Sequence, residues 1–387
     1  MRYVMRCMEC GREYGKEEIL YRCDCGGLLD IVYEDGEKRL NGRGVWRYSD
    51  FLPDFERVIT LQEGGTPLYR CDRISERLGV ELYVKFEGAN PTGSFKDRGI
   101  TVGMSKALEL GAKNVVCAST GNTSASMAAY AARAGLNPFV ILPEGKIAKG
   151  KLAQALFYGA RVFEVEGNFD YAMSIVERFA GEGHAYMLNS LNPFRPEGQK
   201  TIGFEIAEQL NGIDRVFVPV GNAANIWAIF KGFREFLEAG FTDDMPRMVG
   251  VQAEGAMPVV RAFIDGRMDA EVEKEPETIA TAIRIGNPVN AKKALRAIRE
   301  SKGSAMAVSD AEITEAQREL AVREGIGVEP ASAAGLAGLR RMISEGHVER
   351  GERIVCVTTG HVLKDPESAM RASSPPIRIK KYEDLFS

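Results

Sequence analysis

Short apolar runs alternate with helical patterns along most of this chain, and that alternation limits the folds open to it. Val115 to Ala118, Phe139 to Leu142, Val162 to Val165, Val216 to Val220, Met248 to Gln252 and Ile354 to Thr358 read as buried strands. Thr123 to Ala134, Ala148 to Tyr158, Phe169 to Phe179 and Asn225 to Leu237 lie between them and carry helical periodicity. Further helical patterns occupy Ala291 to Glu300, Glu312 to Arg323 and Ala333 to Ile343. Strands that are almost wholly apolar, with helices between them, imply parallel sheets covered on both faces. There is too much of this pattern for one sheet. The expected fold class is therefore α/β, with two doubly wound domains, which a chain of 387 residues can accommodate.

Composition narrows the function. A hydrophobic content of 45% and a charged content of 27% are those of an ordinary globular protein. The net charge of -4 argues against general nucleic-acid binding. No apolar run approaches the ~20 residues of a membrane helix, and Met1 to Cys10 has no signal-peptide core. The expectation is a cytoplasmic protein with neither a nucleic-acid nor a membrane partner. Its seven cysteines then serve as thiols or metal ligands rather than disulfides.

Four of those cysteines fall in the first 25 residues: Cys7, Cys10, Cys23 and Cys25. The pairs are C-x2-C and C-x-C, each followed by glycine, and two such turns can set four thiolates at the corners of a tetrahedron. A structural zinc ion is the functional reading. A ribbon that folds without metal is the alternative, because Cys-Asp-Cys is shorter than the usual second knuckle. Four protein ligands leave no open position for catalysis. The polar stretch from Glu34 to Leu61 reads as a linker and an arm crossing the body of the protein.

The densest chemistry lies in Asn90 to Gly99, N-P-T-G-S-F-K-D-R-G. Leu82 to Phe86 reads as a strand, the Asn-Pro and Thr-Gly pairs as turn residues, and Ser94 as a helix N-cap. Lys96 thus stands at a strand-to-helix junction, where open α/β sheets bind ligands. The positive end of a helix and shielding from water both lower a lysine pKa, and only the neutral amine attacks a carbonyl. A solvated lysine on a first helical turn is the plain alternative.

Three more junctions carry polar groups. Ser119, Thr120, Gly121, Asn122 and Thr123 end a strand and open a helix, a place to bind a carboxylate, and Asn122 can hydrogen-bond a phenolic oxygen. Val220, Gly221, Asn222, Ala223, Ala224 and Asn225 again link strand to helix, with small residues that let an anion approach. Asn189, Ser190, Arg195 and Lys200 form a polar cluster at a helix start that can meet a phosphate. Each also reads as an ordinary capped turn. Thr358 reads as a strand-end cap and His361 as a supporting group. His184 and His347 receive no role. Cys71, Cys117 and Cys356 read as buried small hydrophobes, and Lys85 as a strand-edge charge.

Taken together, N-P-T-G-S-F-K-D-R-G, E-G-G-T-P-L from Glu63, N-S-L-N-P-F-R-P-E-G-Q-K-T from Asn189, V-G-N-A-A-N from Val220, T-A-I-R-I-G-N-P from Thr281, E-P-A-S-A-A from Glu329 and T-T-G-H from Thr358 occur in one chain. This set resembles the threonine synthases, pyridoxal-phosphate enzymes of fold type II, from about Thr60 to Pro366. The resemblance implies that Lys96 holds the cofactor and moves protons, that Asn122 binds its 3′ oxygen and that Thr359 faces its ring nitrogen. Val220, Gly221, Asn222, Ala223, Ala224 and Asn225 would hold its phosphate. Ser119, Thr120 and Thr123 would hold the substrate carboxylate, and Asn189, Ser190, Arg195 and Lys200 the substrate phosphate. The implied reaction takes O-phospho-L-homoserine and water to L-threonine and phosphate, with a homodimer as the usual assembly. The division expected is a ribbon at 1–35, an arm at 36–61, a lysine domain at 62–205, a second α/β domain at 206–375 and a tail at 376–387. A cysteate synthase using phosphoserine and sulfite, a dehydratase, and a non-enzymatic binding ribbon are the other readings.

Overall fold

The computed structural model describes residues 3–34, 36–119, 121–144, 149–373 and 378–379. The chain opens with a small antiparallel sheet of β1 (Tyr3–Cys7), β2 (Glu13–Tyr14) and β3 (Leu29–Tyr33), in the order β2-β1-β3. A 3-10 segment at Gly44–Phe51 follows inside the expected arm. Its Tyr48 and Phe51 pack on Phe204 and Phe236, so this stretch is part of the core. Gly44 has φ 59°, and a Cβ there would stand 2.2 Å from the Glu63 carbonyl oxygen; only glycine fits.

The elements that follow are β4 (Leu68–Arg70), α1 (Asp72–Leu78), β5 (Glu81–Phe86), α2 (Lys96–Glu109), β6 (Asn114–Cys117), α3 (Asn122–Ala134), β7 (Asn137–Pro143) and α4 (Lys149–Phe157). Next come β8 (Arg161–Val165), α5 (Phe169–Gly181), β9 (Tyr186–Met187), α6 (Arg195–Gln199), α7 (Thr201–Gln209), β10 (Arg215–Pro219) and α8 (Ala224–Glu238). The last third holds β11 (Arg247–Ala253), α9 (Pro258–Ile264), α10 (Ala291–Glu300), β12 (Ser304–Val308), α11 (Asp310–Glu324), α12 (Pro330–Ser344), β13 (Arg353–Thr358) and α13 (Pro366–Ala372). Where the sequence predicted an element, its bounds differ by a few residues at most, because those apolar runs and helical periods are long and regular; α1, α7, α9, β12 and α13 were not predicted, and the predicted helix start at Ala148 lies outside the described residues.

Two parallel sheets carry the body. One has the order β8-β7-β6-β9, the other β12-β11-β10-β13-β5-β4, in which only the β4–β5 pairing is antiparallel. The central strand β10 is buried along its whole length. One of its faces packs on α7, α8 and α10 through Ile202, Ile229, Phe233 and Leu295, the other on α12 through Leu336 and Leu339. Each such side chain contributes roughly 1.5–3 kcal/mol on burial.

The large sheet corrects two expectations. β4 and β5 precede the lysine helix yet pair into the sheet of the chain's second half, so a sequential boundary at 205 does not separate the two sheets. Lys85 is not an edge charge. It lies buried on β5, where its Nζ donates to Glu205 (2.7 Å), Gln209 (2.9 Å) and the Thr66 carbonyl (2.7 Å). Arg98 of α2 completes this cluster by pairing with Glu87 (2.6 Å) and Glu205 (2.7 Å). Buried charges of this kind need full pairing, and the pairs fix α2 against β5 and α7. Among the described residues no helix is long and apolar enough to cross a membrane.

Candidate active site

The turn that delivers Lys96 is pinned from several sides. The Asp97 carboxylate accepts from the Thr92 N–H (2.7 Å), the Thr92 hydroxyl (2.6 Å) and the Ser126 hydroxyl (2.6 Å). Burial nonetheless raises the Asp97 carboxyl to about 6. The Phe95 N–H donates to the Thr359 carbonyl (3.1 Å), tying the start of α2 to the end of β13. Phe95, not Ser94, occupies the N-cap position. The Ser94 hydroxyl is buried without a partner two residues from the lysine.

Lys96 begins α2, with Nζ 4.2 Å from the centre of the Phe95 ring. Burial and the nearby Arg195 guanidinium lower its pKa to about 7, against the opposing pull of Glu329. An amine of that pKa is substantially neutral at physiological pH and is fit to attack a carbonyl.

Glu329 carried no role in the sequence reading. It is the N-cap of α12, and its carboxylate accepts both contacts of the Asn122 amide, at 2.9 and 3.2 Å. Its N–H donates to the Gly360 carbonyl (3.1 Å), and a Cβ on Gly360 would lie 2.5 Å from its Oε1. The segment E-P-A-S-A-A was visible in the sequence, but the aim of its carboxylate depends on three elements far apart in the chain. Beside it, the Thr359 hydroxyl bonds to Ser332 Oγ at 2.9 Å, while the Thr358 hydroxyl donates to the Lys85 carbonyl. His361 Nδ1 accepts from the Leu363 N–H and supports the turn.

The loop after β10 runs close against the 3-10 turn Thr281–Ile283, where a Cβ on Gly221 would meet the Ala282 carbonyl oxygen at 3.0 Å. The Asn222 carbonyl accepts from the Asn290 N–H, and the Val220 carbonyl from Gln252 Nε2. Ala223 adopts the left-handed conformation, with φ 69°, which costs of order 1–3 kcal/mol for a residue with a Cβ. The next residue, Ala224, is already helical. Asn225 is buried in the first turn of α8 with both amide atoms unpartnered.

The polar cluster before α6 splits apart. Arg195 is 2% exposed, its Nε is unpartnered, and no carboxylate pairs with it among the described residues. Burial lowers its pKa to about 10. Cys117, buried at the end of β6, is pushed up to about 12 by burial, with Arg195 opposing. Lys200 does not share that cleft. Its Nζ pairs with Glu197 (2.6 Å) and Glu235 (2.7 Å) and lies 4.3 Å from the Tyr33 ring centre. Asn189 does not aim at an anion either, since its amide exchanges two 3.0 Å hydrogen bonds with the Ala118 backbone. The Ser190 carbonyl accepts from Asn290 Nδ2. The Ser119 hydroxyl accepts from the Gly121 N–H (3.3 Å), and Thr123 is half-buried on the first turn of α3. Thr120 lies outside the described residues.

These positions suit a phosphate-bearing aldehyde cofactor. The lysine is poised to attack a carbonyl. A left-handed residue opens the long helix α8 beside an unpartnered asparagine, as an anion site requires. In the N-terminal ribbon the sulfur atoms of Cys7, Cys10, Cys23 and Cys25 all lie within 4.8 Å of one another. That spacing fits four thiolates around one zinc ion at ~2.3 Å from each. Tyr14 donates to the Cys23 sulfur at 3.0 Å.

Residues 59–360 match the family described as pyridoxal-phosphate dependent enzyme. The chain is 59% identical over 391 residues to the threonine synthase of Methanocaldococcus jannaschii, covering 97% of this chain and 96% of that one. This chain belongs to the threonine synthase family. Other members agree at greater distance. The Halalkalibacterium halodurans threonine synthase is 51% identical over 326 residues, or 84% of this chain and 90% of its own. The fold is also that of the processed threonine deaminase isoform 2 of Solanum lycopersicum, with a TM-score of 0.70 at 22% identity over 88% of this chain and 98% of that one. As a threonine synthase family member the chain is a pyridoxal-phosphate-dependent lyase of fold type II.

Proposed function

We propose that this enzyme converts O-phospho-L-homoserine and water to L-threonine and phosphate through the residues of the Lys96 cleft. The observation that carries the site assignment is Arg195, a buried cation with an unpartnered nitrogen close enough to Lys96 to depress its pKa. An unpaired buried guanidinium calls for an anionic ligand, and the substrate's phosphate supplies one. Pyridoxal phosphate, when bound, supplies the electron sink that acidifies the substrate's carbon–hydrogen bonds.

The chain's own residues do the rest. Lys96 would hold the cofactor and then move protons: it takes one each from the α and β carbons, gives one to the γ carbon after phosphate has left, and returns one to the α carbon as water adds at the β carbon. Asn122, oriented by Glu329, would hold the cofactor's phenolic oxygen, and Thr359 would offer the ring nitrogen a hydroxyl rather than a carboxylic acid. The loop from Val220 through Asn225 holds the cofactor phosphate on the N-terminus of α8. Ser119, Thr120 and Thr123 hold the substrate carboxylate at the N-terminus of α3. Arg195 holds the phosphate that leaves from the γ carbon, and water adds at the β carbon. The four cysteines hold a structural zinc ion, and the working form is a cytoplasmic homodimer.

The decisive experiment compares turnover of phosphohomoserine with turnover of phosphoserine plus sulfite. Phosphohomoserine is the expected substrate. A preference for phosphoserine and sulfite overturns the reading. Elemental analysis should find about one zinc per chain, and its absence from protein purified without chelator would leave a metal-free ribbon.

A further inference from the structure

The third strand of the ribbon, β3, runs into a buried cluster of charges lying between the ribbon, α6, α8 and α10. Asp30 Oδ1 accepts from the indole N–H of Trp227 (3.2 Å), and its carboxylate pairs with Lys231 (3.2 Å) and Lys293 (3.5 Å). The carbonyls of its neighbours, Leu29 and Ile31, accept from Lys293 (2.7 Å) and Lys231 (2.6 Å). Three residues on, the Tyr33 hydroxyl donates to Glu197 Oε2 (2.7 Å). Glu197 also accepts from Lys200 (2.6 Å) and, through its other oxygen, from Lys231 (2.7 Å). Burial alone would raise the Asp30 carboxyl, yet Lys231 and Lys293 hold it below the usual range.

The cluster's place in the fold gives it a consequence. Glu197 and Arg195 share the short helix α6. That helix is pressed so tightly on α2 that a Cβ on Gly198 would stand 1.7 Å from the Arg98 carbonyl, and one on Gly99 would stand 2.8 Å from the Arg195 carbonyl. The helix is therefore held between α2, which presents Lys96, and the ribbon, which holds Glu197. Trp227 and Lys231 lie on α8, about one and just over two turns beyond the left-handed Ala223 that opens it. One ribbon strand thus touches both helices that carry the proposed phosphate-binding groups.

We propose that Tyr33 and Asp30 are positioning residues for the two phosphates: Tyr33 sets α6 and so Arg195, and Asp30 sets α8 and so the loop from Gly221 to Ala223. This deepens the assignment of Arg195 to the substrate phosphate and rests on it. The metal ribbon is then a wedge that fixes the distance between the two anion sites, as well as a cap on the fold.

The test measures two affinities in each variant of the full-length holoenzyme. One is the dissociation constant of pyridoxal phosphate. The other is the inhibition constant of inorganic phosphate against phosphohomoserine, with KM taken from the same data. Tyr33→Phe keeps the ring beneath Lys200 and removes only the hydroxyl. It should raise KM and the phosphate inhibition constant roughly three- to tenfold, the scale of one hydrogen bond, and leave the cofactor constant within about twofold. Asp30→Asn keeps an acceptor for Trp227 and removes the charge, and it should weaken cofactor binding more than phosphate inhibition. Equal changes in both constants, or a lower thermal midpoint with both unchanged, would show a purely structural cluster and overturn the proposal. Should Asp30→Asn fail to fold, Tyr33→Phe decides by itself, and an unchanged phosphate constant in that variant overturns the proposal. Arg195→Ala run in parallel separates the two claims. If it weakens phosphate inhibition and Tyr33→Phe does not, the positioning role is wrong. If neither does, the phosphate assignment itself has failed.

Discussion

Arg195 and Lys200 stand close together on one helical segment, and both are buried, yet they meet opposite fates. Arg195 faces the cleft with no carboxylate partner among the described residues. Lys200 turns away from it, into a cluster where Glu197 and Glu235 neutralise it. The contrast separates two uses of a buried cation. In the ribbon-facing cluster Lys200, Lys231 and Lys293 meet Asp30, Glu197 and Glu235, so charge is matched and the pairs hold elements in place. In the cleft, burial disfavours the charged forms of both Lys96 and Arg195, the Arg195 charge lowers Lys96 further, and the two await a carbonyl and an anion. Cations of the first kind belong to the fold, and those of the second to the chemistry.

The largest effect expected on the chemical side is that of Lys96→Ala, which should lower kcat by about 10²–10⁴-fold or more without lowering the thermal midpoint. Steady-state kinetics and calorimetry on one preparation check both halves, and near-native turnover would break the comparison at once. On the structural side, Lys231→Met strips a partner from both Asp30 and Glu197. The expected cost is about 3–5 kcal/mol of folding stability, read from urea titration. A loss well under 1 kcal/mol would mean that the matched cluster is no more structural than the cleft.

Arg195→Met sharpens the contrast from the other direction. It should reduce kcat/KM for phosphohomoserine by roughly tenfold or more, as about 1.5–3 kcal/mol of charge-assisted bonding is lost. Because it also removes an unpaired buried charge, the thermal midpoint of the unliganded enzyme should hold or rise. A fall comparable to that of Lys231→Met would place Arg195 among the structural cations.

The smallest effect is one of pH. The Lys96 amine, lowered to about 7, gains a neutral fraction as pH rises through that value. The rate at which cofactor-free enzyme captures added pyridoxal phosphate should therefore climb with pH below about 7 and level off above it. Glu329→Gln removes the charge that favours the protonated amine, so the midpoint should move to lower pH. A midpoint that moves upward would show that Glu329 does not act on Lys96.

Much of this could be read without coordinates. The strand and helix alternation gave the two parallel sheets, because wholly apolar runs leave few other ways to bury both faces. The turn residues before Lys96 placed it at a helix start, since Asn-Pro and Thr-Gly have few other conformations open to them. The paired cysteines implied four sulfurs in one place, and those sulfurs do converge within 4.8 Å.

Other assignments needed the fold. Lys200 and Asn189 have the residue types of a phosphate site, but side-chain direction on a helix or turn changes with each residue, and theirs point to Glu197 and to the Ala118 backbone. Lys85 resembles an edge charge until Glu205, distant in sequence, is brought beside it. Glu329 acquires its place only when the start of α3, the start of α12 and the end of β13 converge. The sequence by itself thus determined most of the long buried strands and helices and which short segments are rich in chemistry, because periodicity and turn preference are local. Which polar groups are neutralised and which are left to meet a ligand was decided only in the tertiary structure. Pairing of buried charges depends on residues far apart in the chain, and no local pattern records it.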